Sequence, residues 1–376
     1  SDCLVDLWES SYLPETEALT RQIQEWAAPN DSLLDLLSRY DQIEIAWRRC
    51  GELHTLSTGL AGVVMRQFDE FCRNKFGDEG TRIAVESISG MPNMSVKSAV
   101  ALWELSREAV NRPAVADLLR SHSTQEFLAN LDEVAEGPVF RCQLTEFLET
   151  WGQRNESYYE VGYLTWREDP DVVVSIIRTY IDVAEDPSVL HKRAVASRIA
   201  RTEDVESRLS DPTVLGEFLI GQRRARQHTV LMEDHNYFID QRAYTSLRTP
   251  HQAIGTRLLE AGALDDANDI FYLHINEIKE HADHPGRKYQ SLITQRREDR
   301  QKWMHVLPPS VIGGDATLAT PPLAGESKPV RIATIQGLAA SAGAVTGIAR
   351  LILSLGEASR LSPGDILVTY ATAPPW

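Results

Sequence analysis

The sequence predicts a mainly α protein: a non-repetitive helical bundle, then a linker, then an incomplete small β-rich piece of β/β/α type. Three observations carry that expectation. From Ser1 to about Met304 apolar residues recur at helical spacing. The stretch "VLPPSVIGGDATLATPPLAGESKPV", Val306–Val330, loses that period and fills with proline and glycine. Beyond it, "GIARLILSL" (Gly347–Leu355) and the alternation of Ile366, Val368 and Tyr370 in "SPGDILVTYATAPPW" read as short strands. The boundaries that follow are 1–305 for the helical domain, 306–330 for the linker and 331–376 for the β-rich piece. No fixed-period repeat is present, which argues against a solenoid.

Each helix has its own signal. In "TEALTRQIQEWAA", Leu19, Ile23 and Trp26 share a face. The text from Asp31 to Phe76 reads as one long helix started by Asp31 or Ser32. "GMPNMSVKSAVALWELSREAV" has a Pro-Asn turn, with Ser95 expected as N-cap and Val96, Val100, Leu102, Leu105 and Ala109 as the core face. Ser123 and Glu126 make a capping-box pattern. After "EDPDVVVSIIRTYI" come a charged helix and a long helical run from Leu215 to Leu247.

Charge and composition narrow the function. At 376 residues, 43% hydrophobic and 24% charged, the chain can bury a sizeable core. A formal net charge of −16 repels phosphate backbones and anionic lipid, which sets aside nucleic-acid and membrane-surface roles. The four cysteines, Cys3, Cys50, Cys72 and Cys142, form no CxxC pair, so neither a disulfide framework nor a zinc site is expected. With no apolar run of spanning length and no leader pattern, a cytoplasmic location is the expectation.

Polar side chains concentrate in a few places. In "WGQRNESYYEVGYLTWREDP", Arg154, Tyr158, Tyr159 and Trp166 suit a planar or apolar acceptor, with the guanidinium available for a phosphoryl group; equally, the aromatics plug the core and Arg154 pairs with Glu156 or Glu160. In "GQRRARQHTVLMEDHNYFIDQRAY", an α-helical wheel puts Arg224, His228, His235 and Arg242 near one face and Arg226, Glu233 and Asp240 on another. His228 or His235 is placed to take a proton from an acceptor hydroxyl. Glu233 and Arg242 are polar candidates on the same helix, where an Arg/Glu ladder kept for solubility is the other reading. His54 follows Gly51 in a glycine-interrupted helix that also holds Gly59 and Gly62, which suggests close packing or a ligand near the backbone; His54 itself reads as a satisfied core histidine or as a residue facing the same cavity. Asp265, Asp266 and Asp269 read as architecture, with Asp269 capping "IFYLHINEI", and no metal ligands are assigned.

The C-terminal segment resembles the opening of the swivelling phosphohistidine domain of the phosphoenolpyruvate-utilising enzymes. The resemblance rests on Gly337, Ala340, Ser341, Gly343, Val345, Gly347, Ala349 and Arg350, then "RLSPGDILVT", then Thr372, Pro374, Pro375 and Trp376. It implies a hairpin here and a phosphate-carrying histidine beyond Trp376. The helical body is similar to the acceptor-binding part of rifampin phosphotransferase-like and phosphoenolpyruvate-synthase-like proteins, through "GMPNMSVKSAVALWELSREA", "FLETWGQRNESYYEVGYLTWREDP" and the segment from Ala225 to Ile278. Gln153 departs from the His or Met commonly found before that arginine. The resemblance implies a dikinase-type phosphotransferase fragment that binds a small hydroxylated, aromatic or polyketide-like acceptor. Its partners would be ATP-grasp and phosphohistidine domains in cis or trans, with ATP and Mg used by the whole enzyme and no cofactor in this chain. A non-catalytic binding or scaffolding module, or a relative that phosphorylates a hydroxyl to activate it for condensation or elimination, are the other readings.

Overall fold

The computed structural model describes residues 2–155, 160–182, 186–304, 306, 344–353, 357, 360–369 and 372. The protein is mainly α, as expected. Helix α1 (Asp2–Leu7) passes through a π turn (Trp8–Tyr12) into α2 (Leu13–Gln24), and α3 (Leu33–Ser38) precedes α4 (Asp41–Phe76). Then come α5 (Gly80–Ile88), α6 (Met94–Val110), α7 (Pro113–Ser121), α8 (Thr124–Asn130) and α9 (Gly137–Trp151). Helices α10 (Asp171–Ile181), α11 (Pro187–Arg208) and α12 (Pro212–His235) follow. A second π segment (Asn236–Ala243) extends α12 into α13 (Tyr244–Ser246), before α14 (Arg248–Glu260), α15 (Ile275–Asp283) and α16 (Gln290–Met304).

Two compact units divide the chain, one holding residues up to His251 together with the segment from Ile348, the other running from Gln252 to Gly347. In the first, α12 packs along the length of α4. Phe68, Cys72, Ile83, Val205, Phe218 and Ala225 close one core cluster around this pair. Trp8, Cys50, Leu53, Ala61, Leu231 and Ile239 close another. A third gathers α6, α7, α9 and α10 about Phe127, Phe140 and Trp166. Helix α10 is rich in β-branched residues, yet Val173, Val174, Ile176, Ile177 and Ile181 are all buried. A helix apolar on most sides is held by packing rather than by intrinsic propensity.

Several local expectations need correction. The long helix after Ser32 is two helices: Ser32 and Asp35 form the capping box of α3, and the chain turns at Arg39, which stacks on Trp26 and pairs with Asp31. Asn93, not Ser95, caps α6, its side chain accepting from Val96 N at 2.9 Å. The Ser123–Glu126 capping box is present. Gly90 has φ +64°, and a Cβ there would lie 2.6 Å from Val195 N of α11, so only glycine makes this close turn without strain. Both Ser89 and Gly90 carbonyls accept from Arg198.

In the second unit Asp266, not Asp269, is the cap, accepting from Asn268 N at 2.7 Å at the start of a 3-10 turn (Ala267–Tyr272). Asp269 pairs instead with Arg297. Arg296 grips Glu277 through both oxygens at 2.7 and 2.8 Å.

The β-rich piece consists, among the described residues, of β1 (Ala349–Leu351) and β2 (Ile366–Val368). They pair in parallel, Arg350 opposite Leu367, and not as the antiparallel hairpin that the resemblance implied. The strands are also shorter than the alternation suggested, and Tyr370 lies outside the described residues. So do residues 307–330 of the linker, and Gly337, Ala340, Ser341, Gly343, Pro374, Pro375 and Trp376 of the resemblance.

Candidate functional site

A change of helix type creates the site. In a π segment residue i bonds to i+5, which stacks His235 on Asp240, Asn236 on Gln241 and Tyr237 on Arg242. Five residues of α-helix would instead turn about 140° and point these pairs apart. His235 Nε2 lies 3.4 Å from Asp240 Oδ2, and His54 Nδ1, reaching over from α4, lies 2.8 Å from Oδ1. The two imidazole rings are 5.1 Å apart.

Burial sorts the three groups. The His235 and Asp240 side chains are 4% and 3% exposed, whereas His54 keeps 27%. Burial pushes the Asp240 carboxyl up, but hydrogen bonds from His235 and His54 outweigh it and hold the pKa below the ordinary 3.8. The bond to Asp240 raises His54 above the ordinary 6.5, against a smaller opposing effect of burial. An accessible imidazole oriented by a buried carboxylate is chemically a general base.

A polar relay leads inward from Asp240. Asn236 Nδ2 donates to Asp240 Oδ2 at 3.4 Å, Gln241 Nε2 donates to Asn236 Oδ1 at 2.9 Å, and Arg154 Nη1 donates to Gln241 Oε1 at 3.4 Å. Arg154 is 1% exposed, its guanidinium 4.3 Å from the Trp166 ring centre and 5.8 Å from those of Trp151 and Tyr237. Among the described residues no carboxylate pairs with it, Nη2 has no hydrogen-bond partner, and burial pushes its pKa down to about 10. The loop that carries Arg154 is pinned by Trp166 N donating to Arg154 O at 2.8 Å and by Thr245 Oγ1 donating to Gln153 O at 3.2 Å. Arg248, 2% exposed, clamps Glu168 with two 2.8 Å bonds. Burial opposes ionisation of Glu168, but Arg248 and the Thr165 backbone and hydroxyl together lower its pKa to about 2.

The open side of the site is the α4 face of Trp47, Gly51, His54, Thr58 and Gly62. Trp47, 49% exposed, meets Tyr244 edge to face at 6.3 Å. Close packing does not explain the glycines: a Cβ on Gly51 would meet only Tyr244 Oη at 3.9 Å, one on Gly62 only Arg66 at 3.6 Å, and one on Gly59 nothing. A separate groove of about 630 Å³ between α2 and α4 is lined by Leu19, Ile45, Arg49 and Glu52 and contains none of the predicted residues.

The structure thus brings together His54, His235 and, through the relay, Arg154. Trp166 lies in the core beneath Arg154. His228 is fully buried, donates from Nδ1 to Arg224 O at 2.8 Å, and has no partner at Nε2 among the described residues. Arg224 is half-buried. Glu233 accepts from Ser95 Oγ at 3.1 Å and so engages α6. Arg242 packs over Tyr237 and Phe238 and approaches Glu17 at 3.9 Å. Tyr158, Tyr159 and Glu156 lie outside the described residues. Sequence reasoning missed Asp240, Asn236 and Gln241, because nothing in the local text announces a π segment. It also missed Trp47 and Tyr244, although Trp47, seven residues before His54, was findable on the same helical face.

The family model of the rifampicin phosphotransferase fourth domain matches residues 54–232. The chain is 28% identical to chondramide synthase cmdD of Chondromyces crocatus, across 98% of this chain and 10% of that protein. It is 22% identical to the uncharacterized phosphotransferase YvkC of Bacillus subtilis, across 100% of this chain and 45% of that one. It is 26% identical to the rifampicin phosphotransferase of Bacillus subtilis, across 79% and 35%. The chain therefore spans less than half the length of each.

Proposed function

From the match of residues 54–232 to the rifampicin phosphotransferase fourth domain and the 26% identity to a rifampicin phosphotransferase, we propose that this chain binds a hydroxylated small molecule for phosphorylation. The acceptor lies against Trp47 and Tyr244 with its hydroxyl at His54. His54 takes the hydroxyl proton as the oxygen attacks the phosphorus of a phosphohistidine, the phosphorus–nitrogen bond breaks, and Asp240 stabilises the imidazolium formed. ATP-grasp and phosphohistidine domains, in cis or in trans, would supply that phosphoryl group from ATP with Mg. An aromatic or polyketide-like acceptor fits the exposed indole, and rifampicin, named in several relatives, is its nearest example.

The observation that carries the reading is the 2.8 Å contact between His54 and Asp240 on an accessible helix face. His235 and His228, buried as they are, serve better as positioning and core residues than as bases. A second reading draws support from the chondramide synthase relative, which matches across 98% of this chain: the same phosphorylation could activate a hydroxyl for condensation or elimination inside a larger synthase.

Titration calorimetry with rifampicin and a panel of hydroxylated aromatic polyketides tests acceptor binding. Saturable binding that Trp47→Ala weakens about tenfold or more is expected. Absence of binding across the panel, or binding indifferent to Trp47, would overturn the site and favour a scaffolding role.

A further inference from the structure

The hydrogen count around His235 points to a second ligand. Its Nδ1 lies 3.3 Å from the Leu231 carbonyl and its Nε2 lies 3.4 Å from a carboxylate oxygen. Both neighbours are acceptors, and a neutral imidazole has only one N–H to offer. On the other side of the same carboxylate stands His54 Nδ1 at 2.8 Å. A carboxylate with 3% exposure thus has an imidazole nitrogen within 2.8 Å of one oxygen and 3.4 Å of the other, with donor atoms from all three residues within 4.8 Å of one another.

We propose that His54 Nδ1, His235 Nε2 and a carboxylate oxygen of Asp240 bind a divalent transition metal, with Zn²⁺ as the best-fitting ion. Two imidazoles and one carboxylate are the donor set of zinc sites that keep a fourth position open. Magnesium and calcium, which take oxygen donors, are excluded by the same chemistry.

The surroundings are those a metal needs. Nδ1–H of His235 donating to Leu231 O fixes the tautomer that leaves the Nε2 lone pair facing the site. Asn236, itself held by Gln241, bonds the Asp240 carboxylate from behind. The partial exposure of His54, 27% against 3% for Asp240, gives an entry path from solvent. Ligands drawn from α4, the end of α12 and the π segment are held by packed helices rather than by loops. The site goes beyond the acceptor reading, since neither an acceptor nor ATP is needed to fill it; a metal on Nδ1 leaves the proton on Nε2, so the metal-bound form and the form in which His54 acts as base are alternative states of the site.

The test uses the full chain, stripped by a chelator and titrated with ZnCl₂ against a chromophoric competitor. One Zn²⁺ per chain is expected, bound more weakly as pH falls because protons compete for the imidazoles. His54→Ala, at a half-exposed helical position, should lower affinity at least about tenfold with unchanged circular dichroism. Asp240→Asn should act in the same direction, while His284→Ala, an exposed histidine, should leave affinity unaltered. No saturable uptake by the folded chain, or uptake equally tight in His54→Ala, would overturn the metal site. Either result leaves the acceptor titration with rifampicin to be judged separately.

Discussion

A carboxylate buried between two imidazoles makes His54 the group through which pH acts on this site. Its raised pKa means that the stabilisation it contributes is fully present below pH 6.5 and is lost as pH climbs through the raised value. Asp240 has the opposite sign: its contribution is present above pH 3.8 and is lost as pH falls through its lowered value. The pair therefore stabilises most on the acid side of neutrality. Histidine NMR titration should show His54 above 6.5 in the wild type and displaced downward in Asp240→Asn; an unmoved titration would dissolve the pairing. Arg154 makes a different prediction, because it is a buried charge among aromatic rings with no carboxylate partner among the described residues. Arg154→Met keeps most of the volume and removes the desolvation cost, so thermal unfolding should leave stability equal or higher by about 1 kcal/mol. Arg154→Ala opens a cavity and should cost about 2–5 kcal/mol. Loss of comparable size in both variants would mean that the charge itself stabilises the fold.

At the scale of elements, the π segment Asn236–Ala243 is the feature on which the site depends. Deleting Gln241, one residue of the segment, lets it relax toward an α-helix, which swings the i, i+5 pairs apart. Helical circular dichroism should persist while the His54 titration returns toward 6.5; a titration unchanged after the deletion would show that the helix type is incidental. This segment also marks how far the sequence could be read. The Ser123 capping box, the buried Leu102, Leu105 and Ala109 of α6 and the run from Leu215 to Leu247 were legible because caps and periodicity are local signals, while Val96 and Val100 of the same expected face are only partly buried. The helical wheel failed at Asp240 for a physical reason: it assumes α-helical geometry, and the π segment Asn236–Ala243 shifts the facing of the residues within it. His54 and Arg154 were legible as unusual residues in unusual contexts. Their connection through Asp240, Asn236 and Gln241 was not, because it joins residues far apart in the chain. The parallel pairing of β1 and β2 was likewise invisible, since short alternating runs specify a strand but not its partner.

For the molecule as a whole, the helical unit carries one partly exposed imidazole beside a buried carboxylate, and the similarity to rifampicin phosphotransferases motivates the chemistry proposed at it. The net charge of −16 makes a purely electrostatic capture of a phosphorylated partner unfavourable, so productive docking must rest on shape and local contacts. The most direct measurement is turnover of an acceptor by the protein joined to the ATP-grasp and phosphohistidine domains that the proposal requires, comparing wild type with His54→Gln. The proposal predicts that the phosphohistidine still forms from ATP while acceptor phosphorylation slows by about 10²–10⁴-fold, the usual contribution of a positioned general base. Undiminished turnover in His54→Gln would contradict it and remove His54 from the reaction.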